Sequence, residues 1–493
     1  MGEEKTDQEI AREEKFRKLI ELGVSPFPDK YSKTHSVSDV VEEFSSYSRQ
    51  DLDKEKFKVS VPGRIISLRK MGRASFFHIS DGLNKIQGYI KQDKVGEKEY
   101  QIFNLLDIGD FIGIEGILFR TKTEELTIFI ESLTFLAKSF RPLPEKWHGL
   151  QDIEIRYRQR YLDLIINPEV RKVFRLRSTM IKEIRRFFDE RGFLEVETPM
   201  MHPIPGGALA RPFKTFHNAL GIDLYLRIAP ELYLKRLIVG GYEKVYEINR
   251  NFRNEGISSQ HNPEFTMLEF YQAYSNYHDL IELTEELLSH LCTVLIGAQE
   301  VKFKEEIISF KPPYQKIKFK EALIYHSGIS PAKFENKTEI IRMAQALDPE
   351  KKTLSYGKAL DILFDKQVRQ KLIQPTFILN HLKEVSPLAK ASPDNPEEAE
   401  RFELIIGGME IANAFSELTD PKEQRERFEQ QVTEREEGVE EAHLIDDDYI
   451  TTLQYGLPPT AGEGIGIDRL AMILANKQSI REVILFPLLK PKI

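Results

Sequence analysis

NRNFRNEGISSQHNPEFTMLEFY, residues 249–271, decides how the rest of the chain is read. It sets Arg250, Arg253 and His261 together with Glu255, Glu264 and Glu269 around a polar turn. The flanks VYEI (245–248) and FTMLEF (265–270) read as two strands of a sheet. Gly256, Ser258, Ser259, Asn262 and Pro263 between them read as the loop of a long hairpin. A hairpin core has no use for Arg253, Glu255 and Glu269 at strand positions, because strands disfavour charge and burying charge is costly. A charged ligand at this hairpin is the expectation.

Three other stretches carry charge that a fold does not require. RFELIIGGMEIANAFSELTD (401–420) embeds Glu403 and Glu410 in an apolar run, followed by Asn413, Phe415 and Glu417. Carboxylates so placed pair or bind metal, and two of them beside a phosphate chain suit Mg²⁺. For any one of them a salt bridge is the plainer reading. TAGEGIGIDRLAMIL (460–474) puts glycines 462, 464 and 466 ahead of Asp468 and Arg469 at a predicted helix start. That reads as a glycine-rich turn binding an anion at a helix N-terminus. It is not the dinucleotide fingerprint, and no GxxxxGK[ST] loop occurs in the chain. PGGALARPF (205–213) offers Gly206 and Gly207 for close backbone approach, and RIAPELYLKRL (227–237) puts Glu231 on an apolar helix start.

The 493 residues imply two to four domains, and the 41% hydrophobic content suffices for sizeable cores. No apolar run approaches the roughly 20 residues a bilayer span needs. The acidic start, MGEEKTDQEI, is not expected to be a secretory signal, and it touches the myristoylation pattern only loosely. Cys292, the single cysteine, sits in LLSHLCTVLI and is expected in a core, which excludes disulfides and cysteine-based zinc sites. A net charge of −8 confines any nucleic-acid contact to local patches.

Residues 1–30 read as a helix with Ile10, Phe16, Leu19 and Ile20 as a thin apolar stripe. FKVSVPGRII, SFFHIS, IQGYIK, DFIGIEGILF and LTIFIESLTF then form five strand-like runs, the rhythm of an OB-fold barrel. Arg64, Arg69, Lys70 and Arg73 lie beside Phe76, Phe77 and Gln87, a combination suited to stacking bases and tracking phosphates. A linker with two prolines and Trp147 leads into DIEIRYRQRYLDLI. There Arg156, Arg158 and Arg160 read either as a plain bridging segment or as a basic seam along RNA. Residues 169–191 form an amphipathic helix stopped by Gly192. A Lys/Glu-rich stretch at about 275–385 looks like a helical insertion, and Glu434–Asp448 like a solvated acidic helix and turn.

These pieces together resemble the class II aminoacyl-tRNA synthetases. GFLEVETP resembles their motif 1, FRNE…HNPEFTMLEFY motif 2 and GIGIDRL motif 3. A barrel ahead of the catalytic body is the arrangement of the aspartyl, asparaginyl and lysyl subclass. KWHGLQDIEIRYRQRYLDL, GGALARPF, RIAPELYLKRL, NAFSELTDP and VILFPLL are similar to the bacterial-type lysyl branch. The resemblance implies an α+β, multidomain chain. It has a helical extension (1–55), an OB-fold anticodon-binding barrel (56–140), a linker (141–168) and a class II catalytic domain (169–493), an antiparallel sheet flanked by helices.

It also implies site residues. Arg253 and Arg469 would be catalytic, and Arg253, Glu255, His261, Phe265, Glu403 and Arg469 would bind ATP. Gly207, Glu231, Glu269, Tyr271, Asn413, Phe415 and Glu417 would bind lysine. Glu403 and Glu410 would hold Mg²⁺, with up to three ions accompanying ATP. Arg69, Phe76 and Gln87 would read the anticodon. The implied partners are lysine tRNA, L-lysine, ATP and a second copy of the chain, in the cytoplasm and without a membrane. A relative delivering lysyl-adenylate to a protein would lack the barrel, and an aspartate pocket would not carry Glu269 and Glu417.

Overall fold

The computed structural model describes residues 5–144, 150–334, 336–349, 354–436 and 444–491. Trp147 and the middle of the acidic run (437–443) lie outside them. The chain divides into two compact units at Lys172.

In the first unit, helix α1 (Asp7–Glu21) starts at a Thr6–Glu9 capping box. Its buried stripe is narrower than expected: Leu19 is buried and Phe16 packs on Phe135 and Phe140, whereas Ile10 and Ile20 are exposed. Lys15 ties the helix down at 2.6 Å from Asp107. After helices α2 (Val37–Phe44) and α3 (Arg49–Glu55) come strands β1 (Lys58–Met71), β2 (Ala74–Ser80), β3 (Lys85–Lys91), β4 (Phe111–Arg120) and β5 (Leu126–Ala137). They close into a barrel of order β1-β2-β3-β5-β4, in which β3 and β5 pair parallel and β4 returns to β1. Alternation along each strand fills the interior with Ile65, Phe77, Ile79, Ile90, Ile114 and Ile128. This is the OB-fold barrel that the five runs predicted.

The arginines of the following segment are each engaged by a carboxylate. Arg156 and Arg160 both pair with the buried Asp163, at 2.8 and 2.5 Å, and Arg158 pairs with Glu154.

The second unit is built on one eight-stranded sheet with helices against it. Helix α4 (Pro168–Asp189) turns Met180, Ile184, Phe187 and Phe188 inward, and Gly192 ends the segment in the left-handed conformation at φ 75°. Next come β6 (Leu194–Glu195), α5 (Glu231–Val239), β7 (Lys244–Phe252), β8 (Glu264–Ala273) and α6 (Tyr277–Ile296). Strand β9 (Gln315–Lys318), helices α7 (Phe319–Ser327), α8 (Lys337–Leu347) and α9 (Tyr356–Gln367), and strand β10 (Thr376–Leu379) follow. Strands β11 (Arg401–Ile406) and β12 (Met409–Ser416), helix α10 (Asp447–Gln454), strand β13 (Thr460–Gly466) and helix α11 (Ile467–Leu474) complete it. The sheet order is β9-β10-β11-β12-β13-β8-β7-β6, antiparallel except for the edge pairs β9–β10 and β7–β6. Its core joins α4, α6 and α11 to the sheet and contains Cys292, whose thiol burial pushes up to about 11.

Residues 275–385 are therefore not simply a helical insertion. Helix α6 belongs to the main core, β9 and β10 extend the main sheet, and only α7–α9 enclose a separate core around Phe319, Leu323, Leu360 and Phe364. Lys/Glu-rich composition hid four four-residue strands: these two and the hairpin of Glu300–Phe303 with Glu306–Ser309.

Candidate active site

Antiparallel pairing turns the charged stretches into one surface. Glu403, Asn413, Gly464, Glu269 and Glu247 fall in a single row across β11, β12, β13, β8 and β7. Arg401, Phe415, Gly462, Tyr271 and Val245 form the next row. Two residues apart on every strand, the two rows share a face. A cavity of about 410 Å³ opens over it.

The hairpin is β7–β8, paired from Lys244↔Gln272 to Phe252↔Glu264. Arg253 and Glu255 are thus loop residues just past the strand end, a correction to their expected strand positions. The loop is closed by Arg253 N donating to Pro263 O at 2.9 Å and by Ser258 Oγ bonded to His261 Nδ1 at 2.9 Å. Arg253 lies over the Phe265 ring at 5.1 Å, and Arg469 reaches His261 Nε2 at 3.1 Å. Desolvation, then Arg469 beside it, lowers the His261 pKa, so its ring stays neutral near pH 7. Glu255 sits exposed on the cavity wall.

The glycines of 460–466 are not a phosphate-cradling turn. Gly462 and Gly464 lie within strand β13, and Gly466 caps α11. Their lack of side chains clears the sheet face. A Cβ at Gly462 would strike the Tyr271 ring and Glu417, and one at Gly464 would strike the end of Met267. Asp468 anchors β8, accepting from Thr266 N at 2.8 Å.

Glu269, Tyr271, Asn413, Phe415, Gly207 and Glu231 all line the cavity. Tyr271 donates to Glu269 at 2.9 Å, and Asn413 accepts from Arg401 at 3.0 Å. Burial, then Glu231, pushes the Glu269 carboxyl up to about 8. Gly207 adopts φ 85°, and a Cβ there would crowd Glu231 and Ala229. Glu417 stands behind the wall: its Oε2 pairs with Lys235, and its Oε1 has no hydrogen bond among the described residues. Burial pushes the Glu231 and Glu417 carboxyls up, and Lys235 draws them down.

Glu403 and Glu410 sit on adjacent strands, bridged by Arg369 at 3.3 and 3.1 Å, with Arg401 2.7 Å from Glu403. Among the described residues no third His, Cys, Asp or Glu joins them as a ligand set. Two carboxylates facing a cavity nevertheless fit Mg²⁺, which takes its other ligands from phosphates and water. Sequence reasoning missed Arg369, Arg401 and Lys235. A lone cation in an amphipathic segment carries no signal of its own.

On the barrel, Arg69 pairs across strands with Phe76, which stacks on Tyr89 at 4.4 Å. Gln87 donates to Glu125 at 2.8 Å and accepts from Thr127 at 2.9 Å, and His78 joins Glu125 at 2.8 Å. Phe77 is a core residue instead, and Arg64 and Lys70 are held by backbone carbonyls of Gly109 and Asn104. Tyr89, His78 and Glu125 went unpredicted.

The chain belongs to the class II tRNA synthetases of the D, K and N group, whose family model matches residues 152–490, while residues 59–136 match the OB-fold nucleic acid binding domain. Among curated relatives it is 52% identical to the lysine–tRNA ligase of Carboxydothermus hydrogenoformans, covering 98% of this chain and 97% of that one. It is also 52% identical to the lysine–tRNA ligase of Legionella pneumophila, covering 96% of each chain. Identity to the same-named protein of Bacillus cereus is 48%, over 99% of this chain and 98% of the relative.

Proposed function

We propose that this chain is a lysine–tRNA ligase, an enzyme of protein biosynthesis that uses ATP to join L-lysine to lysine tRNA. One observation carries the reading: a single cavity has Arg253, His261 and Arg469 towards the hairpin tip and two buried carboxylates, Glu231 and Glu269, further along, with a third, Glu417, buried behind its wall. At about 3.3 Å per strand residue, Phe265 and Glu269 are separated by roughly 13 Å. That length suits a nucleotide and an amino acid placed end to end.

Arg253 holds the α-phosphate and the lysine carboxylate together. Phe265 stacks on the adenine, Glu255 accepts from its amino group, and His261 and Arg469 grip the outer phosphates. Gly207 and Glu231 take the α-ammonium, while Glu269, Tyr271, Asn413, Phe415 and Glu417 surround the side chain. The lysine carboxylate oxygen attacks the α-phosphorus as the bond to the pyrophosphate oxygen breaks, giving lysyl-adenylate. A terminal ribose hydroxyl of the tRNA then takes the lysyl group, loses its proton and releases AMP. No side chain acts as a nucleophile; catalysis is positioning and cations placed where phosphoryl charge develops. Glu403 and Glu410 would hold Mg²⁺, which neutralises phosphate charge when bound, with up to three ions accompanying ATP. An amino acid without the ε-ammonium leaves buried carboxylates unpaired, worth about four to five decades of discrimination in the strongest comparable sites.

Arg69, Phe76 and Gln87 read the anticodon on the barrel. The working form is a cytoplasmic homodimer. Support for pairing comes from Leu194, Met200 and Met201, exposed after α4, and not from the apolar face of α4, which is spent on its own core. No helix among the described residues is long and apolar enough to cross a membrane. ATP–pyrophosphate exchange run across all amino acids tests the reading. Exchange dependent on lysine is expected; exchange with aspartate and none with lysine would overturn it.

A further inference from the structure

Lys235 has no part in that account, yet it lies buried behind the pocket wall, against Glu231 and Glu417. Helix α5 sets Glu231 and Lys235 one turn apart, and the lysine is fully buried. Its ammonium is 2.5 Å from Glu231 Oε1 and pairs also with Glu417 Oε2. The rings of Phe415 and Tyr449 lie 5.4 and 6.0 Å from it. Burial alone would push this ammonium's pKa down, but Glu231 and Glu417 hold it above the usual lysine range, so it is charged. Stability gives no reason for it, because a buried ion cluster generally does no better than apolar side chains of the same volume.

The charges around it explain its presence. Glu231, Glu269 and Glu417 converge from α5, β8 and the end of β12. Nearby, Arg227 and Glu247 satisfy each other at 2.7 Å, and Arg236 is taken up by Asp446 and Asp448. Burial keeps the Glu463 carboxyl beside Thr284, and the phenols of Tyr271 and Tyr449, neutral. With all three carboxylates ionised, as bound ammonium groups require, they and the one ammonium of Lys235 leave two negative charges.

We propose that Lys235 is a built-in counter-charge that sets the specificity of the pocket. It engages one oxygen each of Glu231 and Glu417, and it leaves a net charge matched by an amino acid bringing two ammonium groups. Glu417 Oε1 is the oxygen left for the ligand: it is buried, unpartnered among the described residues, and faces the space that Gly462 leaves open.

The inference rests on the lysine reading of the cavity, and exchange by the unaltered protein is its control. No lysine-dependent exchange there would sink that reading, not this one. Lys235→Met leaves one carboxylate charge too many. Its KM for lysine should rise by about tenfold or more, with the KM for ATP within about twofold of the parent. Removing the extra charge as well, in Lys235→Met/Glu417→Gln, should bring the lysine KM back below that of Lys235→Met, although Glu417→Gln alone weakens lysine use. A purely structural lysine predicts the reverse order, with the double variant worse than the single. Unchanged lysine KM in Lys235→Met, a parallel rise in the KM for lysine and ATP, or a double variant worse than the single each overturns the proposal. If Lys235→Met does not fold, the double variant decides, because it removes both partners of the buried pair; a lysine KM no better than that of Glu417→Gln then overturns it.

Discussion

Glu269 stands between Gly464 and Glu247 in the row that crosses the sheet, 4% exposed and bonded to Tyr271. With its carboxyl raised to about 8, the free protein carries a proton there at neutral pH. A cationic side chain needs the ionised form. Below about 8 the free protein therefore binds one more proton than the complex, and lowering pH favours the free form. Lysine binding at pH 7 should release about one proton, and affinity should climb with pH before levelling near 8. Titration calorimetry in two buffers of different ionisation enthalpy measures that release. Glu269→Gln should abolish both the release and the slope; an undiminished release would assign the proton to another carboxyl. Glu269 was legible in the sequence because a carboxylate in FTMLEFY breaks a strand's apolar alternation. Lys235 was not, because a lysine in a helical run ordinarily carries its ammonium out to solvent. Only the two buried carboxylates, 4 and 182 positions away in the chain, reveal it.

At the level of elements, strand β13 shows where local reading misled. GEGIG ahead of Asp468 and Arg469 has the look of a glycine-rich turn opening a helix, and the helix does start at Ile467. The glycines precede it as strand residues between β12 and β8, and tertiary pairing overrides their low strand propensity. What they supply is emptiness over the sheet. Gly462→Ala should push the Tyr271 ring away from Glu269 and Glu417, since its Cβ has no free space. A loss of about 1–3 kcal/mol in lysine binding is expected, about ten- to a hundredfold in KM, as overpacking generally costs. Gly464→Ala meets only the flexible end of Met267 and should cost less. Equal losses in the two variants would count against this reading of the strand. The β7–β8 hairpin was legible as two strand-like runs joined by turn residues, but not the point where its loop begins, which takes in Arg253 and Glu255. The two short strands flanking α7–α9 were not, since four residues carry too little pattern.

At the scale of the whole molecule, two units with separate cores divide two chemistries. The sheet unit holds every residue proposed for adenylate formation, and the barrel unit holds the aromatic and polar face proposed for the anticodon. The barrel itself was readable from five runs of period two, but its face was not. Strand alternation sends Phe77 inward and Phe76 outward, and the network of Gln87 with Glu125, Thr127 and His78 joins strands that are distant in sequence. The division makes a separable prediction. Phe76 is partly exposed, already stacked on Tyr89, and set opposite Arg69. Stacking of one base on such a ring is worth about 1–3 kcal/mol. Phe76→Ala should therefore lower kcat/KM for charging of lysine tRNA by about ten- to a hundredfold. Lysine-dependent ATP–pyrophosphate exchange, which needs no tRNA, should stay at the parent rate. A matching fall in exchange would mean that the substitution damages the enzyme at large. Unchanged charging would take Phe76 out of the anticodon surface.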